Sequence, residues 1–383
     1  MHAPQSERRS ECGLRLVMLT ADRSHKVDGI HEYTQHLVTS LRTRSDIEIV
    51  CENPRRTAPA RWCSTSRSDG RSPAVLLQYN PFNFGRWGFA PWLPAKLWWL
   101  RRSKRSPKLA VMVHEKYVPI TDWRSALMGG WQRLQFFAIR AMADVVFTSI
   151  SAWANDLSVR SPRRPVHHLP VGSNLPDMRH DRAAARRSLA LTDDTMVLAA
   201  FGTGHPSRMM DHVAHAAASM AARGIPTVVL NLGCGTPPVA AGDAVRVLTP
   251  GHLGEEDVAR HLAAADIYLA PFVDGVSTRR TTLMAALQHG LPVVGTDGCH
   301  TDALLRRADA LRLTPVGDRD AFARAVCELA ADPVARARQQ SSARALYESE
   351  FDWAVVSSRL LAGLAQEEST VRAVTVSLGT RTA

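Results

Sequence analysis

The sequence predicts an α/β protein built as two successive doubly wound halves, and three observations carry that prediction. Short apolar runs alternate with longer amphipathic segments along most of the 383 residues, as parallel strands and crossover helices do. The alternation lapses after Gly172-Ser173-Asn174 and restarts at Met196. In both halves apolar runs end in small or polar residues, among them His114-Glu115 and Gly202-Thr203-Gly204, where open parallel sheets place ligands. A cleft between the halves is expected.

In order, Leu14 to Thr20 is the first strand, and a helix follows Asp28-Gly29 with Tyr33, Leu37 and Leu41 on one face. Ile47 to Cys51 is a strand, and the Arg-, Ser- and Pro-rich residues 53–72 read as an exposed connection. Ala74 to Tyr79 and Leu109 to Val113 are strands on either side of an aromatic and basic stretch, residues 80–105. A long helix covers 123–142, Asp144 to Thr148 is a strand, and a short helix starts near Ser151. In the second half, Met196 to Phe201, Thr227 to Leu232, Val245 to Leu248 and Ile267 to Phe272 are strands, with helices over 207–222 and 255–264. Helices fill most of 318–348 and 352–366, and the tail has no pattern.

Composition narrows the class. Apolar residues make up 45% and charged residues 22%, which excludes a disordered chain. The net charge of +11 points to an anionic partner: a nucleotide, a phospholipid surface or nucleic acid. The six cysteines are scattered and read as free thiols of a reducing compartment. No apolar run reaches membrane-spanning length, and Leu14 to Ala21 suits a strand better than a signal peptide, so a cytoplasmic location is expected.

The most informative stretch is Asp274 to Thr296. Gly275 and Ser277 open a loop after an apolar strand, Arg279 and Arg280 stand where the loop becomes a helix, and Thr281 and Thr282 fill its first turn. Gly290 and Pro292 end that helix. Free N–H groups, the helix dipole and forked guanidinium donors suit a diphosphate. The plainer reading is an ordinary strand–loop–helix joint with a solvated arginine pair.

These features resemble the GT-B-fold glycosyltransferases of the family-four (group one) class. The ordered set runs from DGIHEYTQHLVTSL after the first strand through His114-Glu115, ADVVFTSISAWANDL, LPVGSN, FGTG at Phe201 to Gly204, ADIYLAPF and DGVSTRRTTLMAALQHGLPVV to Phe351-Asp352-Trp353. The resemblance implies two Rossmann-like domains facing across a cleft: an acceptor-side domain over 13–172 and a nucleotide-sugar domain over 173–350. A crossover helix over 351–366 and a flexible tail over 367–383 complete it. It implies sugar transfer from a nucleotide-diphosphate donor, with retention and without a metal or cofactor. The acceptor would be a glycan, a lipid-linked sugar or a small molecule. The donor phosphates would lie near Gly29, Gly202, Thr203, Gly204, Arg208, Gly275, Val276, Ser277, Thr278, Arg279, Arg280 and Thr281. Two departures stand out. The family's pair of glutamates falls here on Ser277 and Ala285. Thr203 and His205 lie near its usual arginine, with Arg208 nearest its usual lysine.

The resemblance makes His114 and Glu115 the catalytic candidates at the cleft. Imidazole suits hydrogen bonding or proton handling near neutral pH, against a structural histidine. Glu115 is a second polar contact or a helix-start acid. Asp28 reads equally as a helix cap, and Asp266 as a structural hydrogen-bond acceptor. The remaining histidines lack metal-ligand spacing, so no metal site is expected. Trp87, Trp92, Trp98 and Trp99 with the nearby arginines suit peripheral contact with the inner face of a membrane; the alternative, preferred for Trp98 and Trp99, is packing within the first domain or an acceptor pocket. A nucleotide-sugar epimerase on the same fold and a non-catalytic anion or nucleic-acid binder stay open as other functions, although no nucleic-acid motif is present.

Overall fold

The computed structural model describes residues 13–21, 29–64, 73–104, 106–160, 164–178 and 180–365. Asp28, the Arg8-Arg9 pair, Arg105, parts of the 53–72 connection and the tail at 367–383 lie outside them. The chain forms two compact units: one of the residues up to Thr148, Leu157–His167 and those from Ser357 on, the other of Ser149–Asp156 and His168–Val356.

The first unit is a six-stranded sheet of β1 (Leu14–Leu19), β2 (Ile47–Glu52), β3 (Ala74–Tyr79), β4 (Lys108–Val113), β5 (Val145–Thr148) and β6 (Val166–His168), ordered β2-β1-β3-β4-β5-β6. The pairs from β2 through β5 are parallel. All six residues of β3 are buried, because helices cover both faces of a parallel sheet and leave no polar side to alternate. Helix Gly29–Arg42 buries Tyr33, Leu37, Val38 and Leu41. Helix Trp123–Met142 begins with a reciprocal capping pair, Asp122 and Ser125. Val17, Leu77, Leu97, Val111 and Phe136 share one core on one side of the sheet. A helix over residues 353–365 ends the described chain, and within this unit the Ser357 hydroxyl meets that of Ser40.

The second unit repeats the plan with β7 (Met196–Phe201), β8 (Thr227–Leu232), β9 (Arg246–Leu248), β10 (Ile267–Ala270), β11 (Val293–Asp297) and β12 (Leu311–Pro315), all parallel and ordered β12-β11-β10-β7-β8-β9. Its core joins Leu198, Val213, Val229, Leu269 and Phe322. The chain leaves β7 toward one edge and returns at β10 to build the other, so the carboxyl ends of β7 and β10 flank the switch point. The corresponding switch point in the first unit lies between β1 and β3.

Three expectations need correction here. Trp98 and Trp99 are each 50% exposed rather than packed inside, because helix Trp92–Arg101 buries Leu93, Leu97 and Leu100 instead. Glu115 starts no helix: the next one begins eight residues later behind Asp122. The expected helix over 207–222 begins only at Met210, because Arg208 is drawn into a bridge with Phe272.

Candidate functional site

In the second unit the site grows from the ends of β7 and β10. After β7 the backbone turns through Gly202, Thr203 and Gly204, and a Cβ on Gly204 would stand 1.9 Å from the Gly235 carbonyl oxygen. Only glycine lets this turn lie against the loop after β8. Arg208 donates to the Gly202 carbonyl oxygen at 3.0 Å, fixing its guanidinium at that turn. Burial pulls its pKa below the usual arginine value, yet guanidinium stays charged at neutral pH.

After β10 the chain reaches Asp274. Gly275 follows with φ 83°, and a Cβ there would stand 2.4 Å from the Gly298 nitrogen, so the turn demands glycine twice over. Asp274 collects three groups. Arg279 Nη2 donates to Oδ2 at 2.6 Å, Arg280 Nη2 donates to Oδ1, and His300 Nδ1 lies 3.1 Å from Oδ2. Burial works against ionisation of Asp274, but the His300 hydrogen bond and the two guanidinium charges prevail and hold its carboxyl well below the usual carboxylate range. Arg279 also lies over the Trp153 ring at 5.5 Å, and Arg280 over Phe272 at 3.7 Å. Arg280 Nη1 reaches the Ser207 hydroxyl at 3.3 Å, next to Arg208 in sequence. Two guanidinium groups thus share one carboxylate, and a third, that of Arg208, stands at the neighbouring turn.

The helix Thr281–Gln288 starts behind Arg280 with no side-chain cap. Among the described residues, no acceptor meets the backbone N–H groups of Ser277, Thr281 and Thr282, and the buried Ser277 hydroxyl has no partner. A helix N-terminus with free donors, beside excess positive charge, is built for an anion.

The predicted residues therefore divide. Gly202, Thr203, Gly204, Arg208, Arg279, Arg280 and Thr281 gather around the switch point. Gly275, Val276 and Thr278 serve its shape: their backbone N–H groups donate to Phe272, Thr296 and Asp302, and the Val276 and Thr278 side chains have no exposed surface. The single O–H of Thr278 lies between the Ser149 carbonyl oxygen at 2.7 Å and Asp302 Oδ2 at 2.9 Å, with His168 Nε2 2.8 Å from the same oxygen, and none of the side chain is exposed. Ser277 and Ala285, at the positions of the family's glutamates, are both fully buried. Asp274, His300 and Trp153 were missed. Asp274-Gly275 did carry a turn signal, but nothing in the sequence spacing connects it to His300.

In the first unit, Gly29 opens a helix after β1 and His114 ends β4, its N–H donating to the Tyr79 carbonyl oxygen at the end of β3. His114 Nε2 lies 2.7 Å from Gln78 Oε1, and its ring meets Tyr33 edge-on at 4.8 Å. Burial lowers its pKa to about 3. Of the two roles expected of His114, hydrogen bonding and proton handling, a lowered pKa favours the first, with the imidazole neutral near pH 7. Glu115 is half-buried beside it.

Two doubly wound units of this kind define the GT-B class of fold. The chain aligns over 93% of its length with all of sucrose-phosphate synthase from Thermosynechococcus elongatus, with a TM-score of 0.67 and 17% identity, a likeness of fold. Residues 196–332, in the second unit, match the family Glycosyl transferases group 1. It is 28% identical over 212 residues to the GDP-mannose-dependent monoacylated alpha-(1-6)-phosphatidylinositol monomannoside mannosyltransferase of Corynebacterium glutamicum, covering 50% of this chain and 54% of that one. It is 36% identical over 112 residues to the phosphatidyl-myo-inositol mannosyltransferase of Mycobacterium leprae, 28% of this chain and 29% of the other. The matched region thus spans about half the length, or less, of these relatives.

Proposed function

We propose that the chain is a glycosyltransferase that moves a sugar from a nucleotide-diphosphate donor to a glycan or lipid-linked acceptor. The observation that carries this reading is the cluster of Arg208, Arg279 and Arg280 beside an uncapped helix N-terminus, in the unit that matches the family. Departure of a nucleoside diphosphate leaves negative charge on its outer phosphate. Preplaced guanidinium groups and N–H donors stabilise that charge more as it develops than before, which lowers the barrier. On this reading the protein's own cations do the work a divalent metal does elsewhere.

His114 then acts as a neutral hydrogen-bonding group toward the sugar or the acceptor, with Glu115 as a second polar contact. Retention of configuration follows if the leaving phosphate accepts the acceptor's proton on the same face. The corynebacterial relative makes GDP-mannose the first donor to test and a phosphoinositol lipid the first acceptor class. No helix among the described residues is long and apolar enough to cross a membrane.

Calorimetry with GDP, UDP and ADP, without added metal, tests the donor half. Selective binding of one diphosphate is expected, and Arg279→Ala or Arg280→Ala should weaken it by about tenfold or more, since a charge-assisted hydrogen bond contributes about 1.5–3 kcal/mol. Unchanged affinity in both variants would remove the diphosphate from this loop.

A further inference from the structure

We propose that the first unit holds a groove for the hydrocarbon chain of a single anionic lipid, between the turn at Trp87 and the outer face of helix Trp123–Met142. The helix shows solvent an apolar stripe: Trp123 is 73% exposed, Leu127 70% and Leu134 67%, with Trp131 between them at helical spacing. Its opposite face is already packed by Phe136 and Ile139, so the stripe is surplus to the fold. Facing it, Trp87 is 66% exposed with φ 56°, a left-handed conformation that bulky residues rarely adopt. Gln132 Nε2 holds that turn by donating to the Trp87 carbonyl oxygen at 3.0 Å, and Phe89 packs on Trp131 at 4.1 Å. Strain kept in order to expose an aromatic ring is a mark of a binding surface.

The space enclosed is about 990 Å³, at the upper end for small-ligand sites, and it is concave rather than flat. Its lining is aromatic and aliphatic except for Arg86 and Arg124, and among the described residues no acidic side chain lines it. Each arginine rides on a neighbouring tryptophan, Arg86 at 5.5 Å from the Trp87 ring and Arg124 at 5.2 Å from Trp123. An apolar trough with two cations among its lining residues matches an amphiphile with a negatively charged head. The concavity favours one inserted chain over contact with a flat bilayer surface.

Titration of the full-length protein with lysophosphatidylglycerol below its micelle concentration, followed by tryptophan fluorescence and calorimetry, tests this. Saturable one-to-one binding is expected, with the choline-headed lipid of equal chain length weaker and the chain-free headgroup silent. Leu127→Glu should weaken binding by about tenfold or more, because it sets a charge against the buried chain. Val334→Glu, an equally exposed change in the other unit, should not. Arg86→Ala with Arg124→Ala should abolish the preference for the anionic head. Response only to vesicles would mean a bilayer contact and overturn the groove, as would wild-type binding by a folded Leu127→Glu. Because no sugar is transferred in this assay, its failure leaves the donor reading standing.

Discussion

Asp274 sets how the arginines meet a ligand. Its carboxylate takes one hydrogen bond from each of Arg279 and Arg280, and His300 holds the carboxylate from a third side. Without that anion two half-buried cations lose the counter-charge they share. Asp274→Asn should therefore destabilise the fold by about 1–3 kcal/mol. A bound diphosphate would supply the missing charge. Saturating diphosphate should then raise the melting temperature of Asp274→Asn by more than that of the wild type. A thermal shift no larger than the wild type's would mean that the arginine pair shares none of its charge with the ligand. His114 gives a complementary test: His114→Ala should lower turnover more than donor affinity, and His114→Gln, which keeps a neutral donor, should recover part of the rate.

At the scale of elements the two units use one device twice. Asp144, just before β5, accepts from the Leu109 N–H at the start of β4 at 2.8 Å and forms a two-pronged pair with Arg101. Asp266, just before β10, accepts from the Val197 N–H at 2.8 Å and binds Arg182 and Arg186. In each case the backbone N–H of the aspartate returns a bond to the same neighbour. Asp266→Ala should cost about 1–3 kcal/mol, read as a lower urea midpoint, since it orphans a strand N–H and removes the carboxylate beside the buried Arg186; an unchanged midpoint would make the device ornamental. The structural role expected for Asp266 was readable because an acid beside a buried apolar strand needs partners. Strands and helices were readable for a similar reason: continuous apolar runs such as Ala74–Tyr79 and periodic faces such as Tyr33, Leu37 and Leu41 answer to local spacing. Trp98 and Trp99 were misplaced because a helix with apolar residues nearly all round does not reveal which stripe is buried. The Asp274–His300 contact joins two loops 26 residues apart, and only the folded sheet brings them together.

Taken as a whole, the molecule has two units with separate cores, and their acid sensitivities differ in origin. In the first unit, burial depresses the His114 pKa from 6.5 to about 3, and that of His167 is lowered by burial and Lys108. Such a group is neutral when folded and protonates on unfolding. Below pH 6.5 the unfolded chain therefore binds more protons, and stability falls as pH falls until the folded pKa is reached. The Asp274 contribution in the second unit behaves differently in range: its folded pKa lies below the ordinary carboxylate value, so its stabilisation is intact above about pH 4 and is lost only in stronger acid. Between pH 7 and pH 5 the His114 effect stands clear of Asp274. His114→Gln, which cannot take up a proton, should lose roughly 2 kcal/mol less stability than the wild type over that interval. Urea unfolding at the two pH values, followed through first-unit tryptophans, measures it. Equal losses in both proteins would mean that His114 titrates normally in the folded state, which would reopen its role as a proton carrier in transfer.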